Sequence, residues 1–286
     1  MKRTILLALS CAVSSSAYAG SGGQNGLHLN GLAPGVAAMS AMSPALESRI
    51  EVRGTALVVV LADGREVTGQ ALVGAQLAHR ENGQVSSLRI DAVDSYPGEP
   101  GLPVYRLSVP TADGSREDIC MPDIRGFRYA LFQPGQWDGQ GNYDPSAPGY
   151  SLTCTSGAAG KCVLWGYKPW EQTADGQPML PYYQSCTRMV RADYCGDGRG
   201  FTRDGTRIDT FDPLGINTPE TEQAMPFEAA WGPQGALCVA KPRLPQVNTL
   251  AAIAAACPAK RFVETQAQCT EARALAPGTF ILNRSE

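Results

Sequence analysis

The stretch ALVVVLADGREVTGQALVGAQL, residues 56–77, decides the fold class. Ala56 to Leu61 is an apolar run rich in valine, and β-branched side chains suit a pleated, half-buried surface. Asp63-Gly64 follows, a dipeptide that reverses the chain between strands. Val67 to Leu77 continues the strand-like reading, with Gly69 and Gly74 as candidate bulges. The same grammar extends outward. Asn82-Gly83 and Asp113-Gly114 read as further turns, and Val85 to Ile90 and Val104 to Val109 as further strands. His79, beside Arg80 and Glu81 at a strand end, reads as a solvated edge residue. With no helical period between the strands, residues 48–118 read as a β-meander, which favours a sandwich or an open barrel.

Beyond residue 118 the pattern is denser in cysteine and aromatics. Tyr129 to Phe132 reads as a short strand, Pro134-Gly135 as a turn and Trp137 to Tyr143 as a Gly-spaced loop. Ser151 to Cys154 and Lys161 to Gly166 read as two strands around the loop Thr155 to Gly160. Pro181 opens a helix, because proline is tolerated in the first turn. Tyr182, Cys186, Met189 and Val190 share one of its faces, and Gly196 and Gly198 are expected to stop it. Phe227, Ala229 and Trp231 alternate, Gly232 to Gly235 turn, and Leu237 and Val239 alternate again, the pattern of a hairpin. Leu250 to Ala256 reads as a short helix ended by Pro258. The expected class is α+β: a strand-rich N-terminal meander followed, over residues 119–286, by a disulfide-stabilised β-rich domain with a few short helices.

The chain's start carries an address. Lys2 and Arg3 precede the apolar run Ile5 to Val13, and Ala17-Tyr18-Ala19 supplies a small-x-small cleavage site. Residues 1–19 therefore read as a signal peptide cut after Ala19, and the product as secreted or periplasmic. The run is too short for a membrane span, which needs about 20 apolar residues, and no later segment qualifies. Lipidation at Cys11 is disfavoured, because Leu9 is bulky for its place. Residues 20–47, which hold His28, read as a flexible leader. Loss of Lys2 and Arg3 takes the formal charge from −3 to −5. Without a basic patch, nucleic acid is not the expected partner.

Cys11 leaves with the signal, so eight of the nine cysteines remain: Cys120, Cys154, Cys162, Cys186, Cys195, Cys238, Cys257 and Cys269. An even number in an exported chain implies disulfides. No Cys-x-x-Cys and no paired histidines favour zinc or redox chemistry. Cys154 with Cys162, and Cys257 with Cys269, each close a short loop and are the expected pairs. Cys186 and Cys195 are not expected to pair, because nine helical residues separate them by about 13 Å, outside bridging range. Cys120 and Cys238 are then their remaining partners.

Ala192-Asp193-Tyr194-Cys195 carries a resemblance. It resembles the name-giving motif of the ADYC-domain family of exported bacterial proteins. Similar stretches follow the same order: Lys161-Cys162-Val163 with Trp165 to Trp170, then Gly205 to Asp209, then Phe227 to Gly232. The resemblance covers roughly Cys120 to Val239. It implies export and supplies no catalytic residue.

The motif, Ala192 to Gly198, and the residues around it offer candidate ligands, carboxylates and aromatic faces. Asp193, Cys195, Asp197, Gly198 and Asp204 fall at positions 1, 3, 5, 6 and 12 of an EF-hand-like loop. Cys195 stands where an oxygen ligand belongs and Asp204 where a glutamate does, so calcium near Asp193 and Asp197 is the weaker reading. The stronger is a helix end whose aspartates bond backbone amides, and no cofactor is expected. Asp193, Asp197, Asp209 and Asp212 supply enough carboxylates for a hydrolase, although turn aspartates are commoner. Trp137, Trp165, Trp170 and Trp231, with Tyr167, Tyr182 and Tyr183, read mainly as core, with Lys168-Pro169-Trp170 held nearer the surface. Two histidines so placed exclude a Ser-His-Asp set, and no nucleophile elbow, P-loop or dinucleotide fingerprint occurs. The expected function is a non-enzymatic binding or envelope-associated module, with a cell-envelope or polysaccharide ligand. The alternative is a secreted hydrolase using carboxylates between Asp193 and Asp212.

Overall fold

A computed structural model of the chain describes residues 49–81, 84–220, 225–259, 268–275 and 277–286. The segments read as a signal and as a leader with His28, and the turn expected at Asn82-Gly83, lie outside these residues. His79 falls within a strand, but its side chain is not described.

Strands β1 (Arg49–Arg53), β2 (Ala56–Val60) and β3 (Glu66–Val67) form a small antiparallel sheet. Arg53 pairs with Ala56, leaving a two-residue loop whose first residue, Gly54, sits at φ +63°, as tight hairpins require. Asp63-Gly64 turns the chain as expected. Val67 to Leu77 is not one strand with bulges. A 3-10 turn at Gly69–Leu72 interrupts it, because Gly69 (φ +57°) and Gly74 (φ +89°) leave the extended region. The interruption drives Leu72 into the core.

The second sheet takes β4 (Gln76–Glu81), β5 (Gln84–Tyr96), β6 (Glu99–Pro110), β7 (Arg116–Asp118) and β8 (Ala130–Pro134). The short β9 (Gln136–Trp137) and β10 (Tyr143–Asp144) pair only with each other, and β11 (Tyr150–Cys154) returns to the sheet's edge. The order is β11-β8-β6-β5-β4, with β7 also on β6. This sheet crosses residue 118 without a break. It is also a wall between two cores. Tyr105, Leu107, Ala130, Phe132 and Leu152 face Leu57 and Val59 of the small sheet. Leu102, Val104 and Leu131 point the other way, toward the helices. Strand alternation allows one strand to serve both cores.

Helix α1 (Ala158–Leu164) occupies the place where a strand over Lys161 to Gly166 was expected. A Cβ on Gly160 would lie 2.2 Å from the Cys154 carbonyl oxygen, so only glycine lets the helix start hard against β11. Ala158, Ala159, Cys162 and Val163 are then buried. Helix α2 (Leu180–Val190) follows, with Pro181 in its first turn. Its stop comes earlier than the glycines suggested, at Ala192. The amides of Ala192 and Asp193 bond back to the Met189 and Arg188 carbonyls, and Ala192 adopts φ +49°. That is a Schellman ending with alanine where glycine is usual. Strands β12 (Ile208–Phe211), β13 (Phe227–Gly232), β14 (Gly235–Val239) and β15 (Ile281–Ser285) form an antiparallel sheet ordered β12-β15-β13-β14, with the expected β13–β14 hairpin. Helix α3 (Leu250–Ala256) is capped by Thr249, whose hydroxyl accepts from the Ala252 amide at 3.0 Å. Among the described residues no helix is long and apolar enough to cross a membrane.

The eight cysteines among the described residues are all paired: Cys120–Cys154, Cys162–Cys186, Cys195–Cys257 and Cys238–Cys269. Cys186 and Cys195 do not pair with each other, as expected, but their partners are Cys162 and Cys257 rather than Cys120 and Cys238. The two short-loop pairs do not form. Cys154 lies in the core on one side of the wall and Cys162 in the core on the other, on a helix that aims it at α2. Cys257 ends α3 beside the motif, and Cys269 belongs with Phe211 and Leu282 in a third core.

A non-reducing peptide map should recover these four links, whereas a Cys154–Cys162 link would remove α1. Replacing Cys120 and Cys154 together by serine should lower stability to urea by about 3–4 kcal/mol, the cost of releasing a loop of this size.

Candidate functional site

The motif begins where α2 ends, inside the protein. A helix end leaves its last carbonyls without partners, and here Arg243 supplies them. Its Nη1 donates to the Val190 carbonyl and its Nη2 to that of Met189, both at 2.8 Å. A buried guanidinium needs a counter-charge. Glu228 on β13 accepts from Arg243 Nε at 2.9 Å, and both side chains are 0% exposed. The Tyr194 hydroxyl donates to Glu228 Oε1 at 3.0 Å and accepts from the Arg243 amide at 2.8 Å. Asn283 completes the set, donating to Glu228 Oε2 and accepting from Trp231 Nε1, both at 2.8 Å. The Tyr194 ring stacks on Trp231 at 5.3 Å.

Asp193 anchors a second set. Its Oδ1 accepts the amides of Gly196 and Asp197 at 2.9 and 3.2 Å, and its Oδ2 that of Gly198 at 2.9 Å. Arg188 Nη1 donates to the same Oδ2 at 2.5 Å. The same Nη1 also donates to the Gln140 carbonyl and Nη2 to Asn142 Oδ1, both at 2.6 Å, tying the β9–β10 loop to the helix end. Gly196 touches the β13–β14 turn so closely that a Cβ there would lie 1.9 Å from the Gln234 carbonyl oxygen. Cys195 binds Cys257, drawing α3 onto the motif. Asp197 faces outward, paired with Arg199 at 2.7 Å.

The remaining aspartates have partners of their own. Asp212 accepts the amides of Leu214, Ile216 and Asn217 and the Tyr167 hydroxyl. Asp209 accepts the Glu220 amide and lies 3.5 Å from Arg284. Asp204 is exposed. Of the aromatics, Trp137, Trp231, Tyr167 and Tyr183 are buried, while Trp165, Trp170 and Tyr182 are half-buried. Trp170 lies over Gly54 in the first hairpin. Arg188, Glu228, Arg243 and Asn283 were missed in the sequence. Glu228 did leave a signal: a charge inside an otherwise apolar alternating strand needs a buried partner.

A cleft opens elsewhere, on the large sheet. It has a volume of about 390 Å³, and its polar lining is Arg89 and Asp91 of β5, Arg106 and Ser108 of β6, and Arg116 and Asp118 of β7. In each strand the two residues stand two apart, which puts them on one face. Arg116 is held by the Ser108 hydroxyl at 2.9 Å and the Ser108 carbonyl at 2.6 Å. Burial works to raise the Asp91 pKa, but hydrogen bonds from Ser108 and Arg89 prevail and lower it.

Residues 69–245 match the family model described as the ADYC domain. The match begins well upstream of Cys120 and takes in β4 to β7 as well as the motif. No curated protein and no solved structure matches the chain.

Asp193→Ala removes one partner of a buried ion pair and should cost about 3–5 kcal/mol of stability in urea unfolding. Tyr194→Phe leaves one Glu228 oxygen and one amide unpaired, and should cost about 1–3 kcal/mol.

Alkali should unfold the protein cooperatively. Burial raises the pKa of Tyr150 to about 12 and pushes those of Tyr167, Tyr183 and Tyr194 well above the usual 10.0. The unfolded chain releases these protons near pH 10 while the folded chain retains them, so stability falls as pH rises above 10. Phenolate absorbance should lag behind free tyrosine and then rise together with loss of the near-ultraviolet circular dichroism signal.

Proposed function

Since the chain belongs to the ADYC domain family, we propose that it is a non-enzymatic exported module that binds a ligand or associates with the cell envelope, with the Ala192 to Gly198 motif as its structural lock. One observation carries this reading. Asp193 and Asp212 each accept three backbone amides and one side-chain donor. A general base needs a lone pair within reach of the proton it removes, and these carboxylates spend theirs on the backbone. The four disulfides support export, because such bonds persist in oxidising compartments. The signal read at residues 1–19 supports it too.

The disulfide-intact protein should pellet with isolated cell-envelope polysaccharide and release no reducing ends from it. Calcium or a chelator should leave its melting temperature unchanged, since a bound ion stabilises by mass action. Release of reducing ends by the native chain, abolished in an Asp212→Asn variant that still folds, would establish the hydrolase instead.

A further inference from the structure

We propose that the cleft over β5, β6 and β7 binds the carboxylate of an acidic sugar. The inference rests on the reading of the chain as a binding module and names the site and ligand class. Its volume of about 390 Å³ lies within the range of small-molecule sites, about 300–1,000 Å³.

Three guanidiniums and two carboxylates line the cleft, a local excess of positive charge on a chain whose formal net charge is −3. The guanidiniums differ in how far they are committed. Arg116 is fixed by Ser108 and serves as a rigid wall. Arg89 contacts Asp91 through Nε and Nη2, both at 2.6 Å, and its side chain is 45% exposed. Arg106 reaches Asp118 through Nη2 alone, at 3.4 Å, and is 51% exposed. Arg106 thus presents the planar fork that recognises a carboxylate with two parallel hydrogen bonds. Asp91 and Asp118 line the same cleft, with side chains only 18% and 22% exposed. Carboxylates there accept hydrogen bonds from hydroxyl groups. A ligand that satisfies both sets carries a carboxylate and neighbouring hydroxyls, the composition of a uronic acid. Ser108, cross-strand from both Arg89 and Asp118, joins the two halves.

Calorimetric titration with glucuronate is the direct test, with glucose, acetate and inorganic phosphate as comparison probes. Glucuronate should bind more tightly than each of them, and its affinity should fall as salt rises. Arg106→Gln should weaken it about tenfold or more, the loss of one charged hydrogen-bonding partner. Arg65→Gln, an exposed arginine on the β2–β3 turn, should bind as the native chain does. Melting curves will show whether Arg106→Gln is folded. If it is not, amide shifts confined to β5–β7 on adding glucuronate to the native chain carry the same test. No heat and no shifts would overturn the proposal, as would phosphate or acetate binding as tightly as glucuronate. If glucuronate fails while the native chain still pellets with envelope polysaccharide, only this site is wrong. If both fail, the binding reading falls with it.

Discussion

Helix α2 ends in the middle of the protein, and a buried helix end cannot leave its carbonyls to water. Arg243 and the turn at Ala192 take up those of Arg188, Met189 and Val190. Bringing a guanidinium there obliges Glu228 to be buried beside it, and burying Glu228 in turn requires Tyr194 and Asn283 to satisfy its oxygens. Each polar group is thus made necessary by the one before. Buried ion pairs add little net stability over apolar packing, but the loss of one partner is costly. The set therefore tolerates only whole replacement, which is why a short motif governs so much of the surrounding structure.

The disulfides extend that arrangement outward. Cys162–Cys186 clamps α1 to α2, and Cys195–Cys257 clamps α3 to the motif. Cys120–Cys154 lies across the wall in the core shared by the two N-terminal sheets. The large sheet separates that core from the helical one, and its outer stretch, where β7 pairs with β6, carries the arginine-lined cleft. Motif and cleft occupy different parts of the molecule, one closed and polar-satisfied, the other open and charged. The division suits a scaffold that holds a binding surface away from its own most constrained segment.

What was legible in the residues was what short-range chemistry decides. Valine runs and Asp-Gly turns marked β2 and its hairpin, alternation marked β13 and β14, and a proline with a one-sided apolar face marked α2. It was legible that Asp193 or Asp197 bonds backbone amides, because aspartates in a Gly-rich turn favour their own backbone; the structure gives three of those amides to Asp193. Gly69 and Gly74 read as bulges but serve a turn, since glycine at positive φ suits either. Helix α1 was not legible: Ala158, Ala159 and Gly160 carry no clear period, and contact with β11 makes them helical.

The sequence by itself determined the mixed class, the engagement in disulfides of the eight cysteines that follow the signal-like segment, and the presence of α2, because each follows from residue type and local spacing. Only the tertiary structure decided which cysteines meet, where Glu228 finds its cation, and that three Arg-bearing strands line one cleft. Those outcomes depend on which side of the large sheet a residue faces, and chain spacing carries no information about that once a helix or a crossing strand intervenes.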